Sequence, residues 1–414
     1  MVDEEEEKKR LVGKKRFILK EVFDRIGYGF TSQQFINIFL LQTGASYFLI
    51  GILTGLKNFL SVFTSSVLQG YSKKPETAKR IVVFSGILLA LVFFGLAYTK
   101  SIYSLLFFSI LLLLSGIITP FYGDLYSNFS LSLDVKKTKI VKRLTQYGLI
   151  LTAISLLAAG YVLDMKKDGY IHVLIIASVS FLFSTITLLV YNKSTKQVFM
   201  ESTLITQIER YFTNIKESLS LFTENKIHMV LLVASIVVVF VQTLGNAYYG
   251  VFIYENLTYG LGRYMNVALV FVLAVLASVI GPYVSQKNAV EYGKFPMLVF
   301  GTLLMAIMPL TFYYNPNIVS ISMGVIIGTI GAAINGTAHG MLAMEITPES
   351  KRKSYLSTIG FIVTILSLIL IPSGSYIAQI YGLRNLFLFL GLLMVVVVVP
   401  LYFIVVVLQH KKKL

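Results

Sequence analysis

Apolar stretches of about 20 residues, separated by short polar turns, recur along this chain from near residue 24 to near residue 408. No water is available inside hydrocarbon, so a segment there must pair its own backbone N–H and C=O groups. A helix rising 1.5 Å per residue does so and crosses the layer in about 20 residues. Twelve such runs are read, at roughly 24–43, 46–69, 81–99, 101–122, 145–164, 171–191, 228–254, 265–285, 296–314, 317–342, 355–380 and 384–408. The expected fold class is therefore all-α, a polytopic membrane protein with about twelve transmembrane helices. Composition agrees: 14% of residues are charged, where soluble domains carry about 25%.

The basic residues orient the spans. Of 36 Lys and Arg, thirty fall in the tail and in alternate loops, five fall in the other loops, and Lys57 lies within a span. A bias of this kind marks the cytosolic side, which places both termini there and the protein in the plasma membrane. The same arrangement disposes of a nucleic-acid reading of the net charge of +16, because the positive charge is spread over loops between spans. The first residues, Met1-Val-Asp-Glu-Glu-Glu-Glu-Lys-Lys-Arg, read as a cytosolic tail and not as a secretory signal.

Two halves are visible. The longest polar interval, 192–227, divides the chain into a tail (1–23), a six-helix bundle (24–191), a linker, a second six-helix bundle (228–408) and a short tail (409–414). In the linker, Ile208, Phe212, Ile215, Leu219 and Phe222 follow helical spacing with Glu209, Lys216 and Glu217 between them. That predicts an amphipathic helix, either lying along the cytosolic interface and tying the halves together or simply solvated. Features recur at offsets of 211 to 215 residues: Gly70 before Lys73-Lys74 and Gly281 before Lys287, Lys136-Lys137 and Lys351-Arg352-Lys353, Gly160 and Gly374. Repeats of this kind occur in transporters that bind solutes near the midplane.

With six plus six spans, a basic central loop and a glycine-then-basic loop after spans two and eight, the chain resembles the major facilitator superfamily over about residues 20–410. That family's signature between spans two and three is a Gly, an Asp four residues on, and a basic cluster. Here Gly70, Lys79 and Arg80 match, whereas Lys74 stands where the Asp is expected. Glu345, Thr347-Pro348, Lys351 and Arg352 look like the matching loop between spans ten and eleven, so these positions are candidate cytosolic gate residues. The resemblance implies two pseudo-symmetric bundles, alternating access, and a central cavity lined by spans one and seven.

Ionisable residues at bilayer depth cost several kcal/mol, roughly 2.5–3.5 on insertion scales, and usually face a cavity or a partner. Lys57 lies about 16 Å into its span at 1.5 Å per residue, close to the midplane. It is either a cavity cation attracting an anionic solute or a lysine held by a carboxylate or helix carbonyls. Proton coupling needs a titratable group, and Asp24 at the mouth of span one and His339 in span ten are the candidates. The alternative for Asp24 is a partner for Arg25, and for His339 a helix-to-helix hydrogen bond. Gln33, Gln34 and Asn37 on span one, with Gln242 and Asn246 on span seven, are amides able to bind a polar solute or one another's helices, and Tyr249 can supply aromatic wall. Glycines four apart at Gly51/Gly55, Gly324/Gly328 and Gly336/Gly340 predict close helix packing.

No phosphate-binding loop, no cysteine and no segment long enough for a catalytic domain occurs, and the four histidines are scattered, so an enzyme, a metal centre and a cofactor are not expected. The reading is a monomeric secondary transporter in lipid, moving a small organic solute, anionic if Lys57 faces the cavity, with protons or another coupling ion. An exporter of hydrophobic compounds and a non-transporting sensor are the alternatives.

Overall fold

A computed structural model describes residues 16, 18–68, 75–99, 102–131, 137–189, 203–258 and 260–413. The regular structure of the described residues is helical throughout. The first apolar run forms two helices, α1 (18–30) and α2 (Gln33–Gln42), interrupted at Thr31–Ser32. The Thr31 hydroxyl donates to the Gly27 carbonyl at 2.9 Å, and the Thr31 N–H uses the same oxygen at 3.0 Å. Local bonding of this kind competes with helix continuation.

The remaining helices are α3 (Tyr47–Leu68), α4 (Pro75–Ala97), α5 (Ile102–Leu131), α6 (Lys137–Met165), α7 (Gly169–Leu189), α8 (Leu204–Glu224), α9 (Lys226–Asn256), α10 (Arg263–Tyr292), α11 (Lys294–Tyr314), α12 (Ile318–Ile346), α13 (Arg352–Leu393) and α14 (Val399–Lys413). Ten helical stretches among the described residues are long and apolar enough to cross a membrane. The last of them, Ser354–Leu408, holds 55 residues and contains the two final spans of the sequence reading. They part at Gly382, whose φ of 83° is a left-handed conformation that glycine adopts without strain. The broken α1–α2 pair accounts for the other expected span.

The chain forms two compact units. One comprises Met1–Ile36 and Leu60–Ile208, and the other Asn37–Phe59 and Glu209–Leu414. Asn37–Phe59, which the sequence counts with the first six spans, thus packs in the second unit. In the first unit, α4 packs against α5 and α7, and α6 against α7. Phe181 of α7 sits at their centre, stacked on Phe93 at 5.5 Å and edge-on to Tyr28 and Tyr122 at 5.2 and 6.2 Å.

In the second unit α12 packs against α10 and α11, and α9 against α13 and α14. Lipid tails are as apolar as leucine, so helices in a bilayer gain from close backbone approach and not from hiding oily surface. The α11–α12 contact works this way. A Cβ on Gly301 would stand 2.7 Å from the Asn335 nitrogen, and one on Gly331 would stand 2.7 Å from the Gly301 carbonyl. Gly324 and Gly328 lie against Thr311 and Met308, and Gly51 and Gly55 against Ser375 and the Ser367 carbonyl. Gly336 and Gly340 differ: among the described residues no atom lies within 4 Å of where their Cβ would be, so no described helix packs closely on this pair.

Candidate functional site

In the first unit, the polar residues converge on Asp24. Its carboxylate forms an ion pair with Lys20, one helical turn earlier. It also accepts hydrogen bonds from Tyr122 of α5 at 2.5 Å and Ser184 of α7 at 2.6 Å. The Lys20 ammonium lies over the rings of Tyr122, at 4.4 Å, and Tyr126, at 3.6 Å, in the geometry of cation–π attraction. Lys20, Asp24, Tyr122, Tyr126 and Ser184 are all buried. The missing side chain of Gly86 leaves room for the arrangement, since a Cβ there would stand 2.8 Å from the Tyr122 ring. Charge on a buried carboxylate is sustained by its cation and its two hydroxyl donors together.

Arg25 is not the partner of Asp24. Its guanidinium donates twice to Glu21, at 2.9 and 3.1 Å. Lys20, Tyr122 and Ser184 did not stand out in the sequence. The four-residue spacing of Lys20 and Asp24 was the available signal, but the lysine was counted with the cytosolic tail.

The second unit holds Asn37 and Gln42 of α2 and the start of α3. Asn37 is fully buried and donates to the Ala247 carbonyl of α9 at 2.8 Å. Gln42 donates to the hydroxyls of Tyr254 and Tyr264 at 2.8 and 2.6 Å. The Tyr47 hydroxyl donates to Glu255 at 2.7 Å, its N–H to the Gln379 side chain at 3.0 Å, and its carbonyl accepts from Tyr248 at 2.6 Å. These bonds cluster around the short α2–α3 connection and join it to α9, α10 and α13.

The other candidates fall as follows. Gln33 and Gln34 belong to the first unit, and Lys57, Gln242, Asn246 and Tyr249 to the second. Lys57 and Gln242 are partly buried and Asn246 is exposed. Tyr249 is no open wall: it is buried, stacked on Phe387 at 5.1 Å and tilted against Phe312 at 4.6 Å. His339 contacts the Ser235 hydroxyl of α9 at 3.1 Å, which is a helix-to-helix contact.

Among the gate positions, Gly70 and Lys74 lie outside the described residues. Lys79 donates to the Leu189 carbonyl at the end of α7 at 2.8 Å, where a cation complements the helix dipole. Arg80 and Lys351 are exposed, and Glu345 pairs with Lys294 of α11. Arg352 closes the end of α12 by donating to the Met344 and Thr347 carbonyls at 2.9 and 3.2 Å and to Glu349 at 3.1 Å.

A search of curated proteins finds no match. Among solved structures, the fold is similar to that of the nucleoside transporter NupG, with a TM-score of 0.75 at 12% identity over 96% of this chain and 99% of that one. It is also similar to a POT family transporter in complex with 5-aminolevulinic acid, with a TM-score of 0.65, 14% identity and 96% of each chain covered. A D-xylose–proton symporter matches with a TM-score of 0.62, 16% identity, and 92% and 96% coverage. The model of the Major Facilitator Superfamily matches residues 236–414. That match lies within the second half of the chain, and with the solved transporters the chain shares a fold of many apolar helices.

Proposed function

We propose that the protein is a secondary transporter that carries a small organic solute across the plasma membrane by alternating access, with both termini in the cytosol. The observation that carries this reading is the division of spans one and two. They leave the first unit at Asn37 and return to it after Phe59. Between those points Asn37, Gln42 and Tyr47 hydrogen-bond within the second unit, and the Tyr47 ring meets Tyr248 edge-on at 5.9 Å. A handful of such bonds, each worth about 0.6 kcal/mol on average in a membrane, is a contact that can be made in one state and released in another.

Lys57 lies on this same segment and gives it a cation inside the apolar span. A solute bearing a carboxylate or another anionic group suits it. Asp24, held by hydroxyls of two other helices, is the leading candidate for coupling transport to protons, with His339 second. The protein works in lipid as a monomer in this reading.

The test is uptake into sealed proteoliposomes. The panel contains nucleosides, 5-aminolevulinic acid and D-xylose, the solutes named for the similar structures, each with and without a pH gradient. Saturable, protein-dependent flux of at least one solute is expected. It should collapse in Lys57→Ala and survive in Lys57→Arg. If no solute moves under either gradient with the protein inserted and folded, the reading fails.

A further inference from the structure

We propose that α8 is a membrane-docked helix whose apolar exposed sector inserts into the acyl–headgroup boundary of the bilayer. The helix has three faces, not two. At about 100° per residue, Tyr211, Ile215 and Phe222 share one face, and all three are buried. Phe222 stacks on Tyr355 of α13 at 5.2 Å, and Tyr211 meets Phe361 edge-on at 5.8 Å. That face is the protein contact.

Beside it runs a second apolar row, Ile205, Ile208, Phe212 and Leu219, which is 70%, 36%, 47% and 46% exposed. Thr206, Glu209, Arg210, Thr213 and Lys216, all polar and exposed, lie on the remaining side. A helix solvated on all sides except its protein contact has no use for a second oily row. A helix lying in an interface has one. Lys216 sits at the border between the oily row and the polar sector, where its stem can run along apolar material while the ammonium reaches water.

The occupant is lipid because the row is continuous with the surface of a span. The Phe212 ring meets Phe361 at 5.9 Å. Further along α13, within the apolar stretch Ser354–Leu408, Ile365 and Ile369 are exposed. The depth is also right. Asn225 alone separates α8 from α9, its side chain capping the new helix at the Ile227 N–H, 3.1 Å away. So α8 ends where the seventh span begins. Charge does not drive the docking, since Glu209, Glu217 and Glu224 offset Arg210 and Lys216. This inference rests on the membrane topology proposed above, but not on transport itself.

The chain contains no tryptophan, so a single one reports without background. The full-length Phe212→Trp and Thr213→Trp proteins are reconstituted into phosphatidylcholine vesicles with and without brominated acyl chains. Docking predicts that Trp at 212 is blue-shifted and quenched severalfold more by brominated lipid than Trp at 213, which acrylamide quenches instead. Equal acrylamide quenching at both positions overturns the proposal in favour of a solvated helix. A blue shift at 212 without bromine quenching overturns it in favour of a protein cover, such as a second copy. Leu219→Trp repeats the comparison should Phe212→Trp disturb the contact with Phe361.

Discussion

The two units place polar groups among apolar helices in different ways. In the first, two of the buried groups are charged: Lys20 and Asp24, closed in by Tyr122, Tyr126 and Ser184. In the second, every buried polar residue among those described is a histidine, an amide or a hydroxyl residue. Asn335 is typical. It donates to Thr302 at 2.9 Å and to the Leu298 carbonyl and Tyr402 hydroxyl at 3.3 Å. A neutral amide in a membrane loses little net when its partners are removed, because the unfolded chain in the bilayer also finds it partners. A buried charge loses a great deal, because the remaining ion has no water to turn to. The difference is one of energetics: breaking the Lys20–Asp24 pair strands a charge, whereas breaking a neutral bond in the second unit does not.

The sharpest break between them is functional. Asp24→Asn keeps the shape of the cluster and removes its charge. Gradient-driven accumulation of the solute is then expected to disappear while solute exchange at equal pH persists, both measured in proteoliposomes. For stability, Lys20→Met strands the Asp24 carboxylate and is expected to cost about 3–5 kcal/mol, read as thermal unfolding in detergent. Lys20→Met/Asp24→Leu should recover most of that loss, which separates the stranded charge from the lost packing.

Smaller effects belong to the second unit. Gly301→Val forces a side chain against the α12 backbone and is expected to cost about 1–3 kcal/mol, whereas Gly336→Ala, with open space beside it, should leave unfolding unchanged. Asn335→Leu should cost less than Gly301→Val, about 0.6–1.7 kcal/mol. An Asn335→Leu loss as large as that of Lys20→Met would erase the distinction between the units.

Much of this fold is legible in the chain, because the length of an apolar run and the side on which lysines gather are direct consequences of lipid thickness and membrane insertion. Packing direction is not legible in the same way. Tyr249 and Tyr248 are adjacent, yet one is locked among Phe312 and Phe387 while the other bonds the Tyr47 carbonyl. The Gly336/Gly340 pair matches the spacing of Gly324/Gly328 but faces open space, since spacing says which residues share a face and not what that face meets. Asp24 could be picked out as a carboxylate near a span. Its partners Tyr122 and Ser184 lie 98 and 160 residues away, and no local pattern joins them.

In the proposed transport cycle the α2–α3 connection leaves its partners and returns to them. The chain has no native cysteine, so Gln42→Cys paired with Tyr264→Cys can be bridged with a short bifunctional thiol reagent, on residues whose side chains meet at 2.6 Å. Bridging is predicted to stop solute flux in proteoliposomes, with each single-cysteine protein unaffected by the same reagent. Undiminished flux with the bridge fully formed would contradict the account.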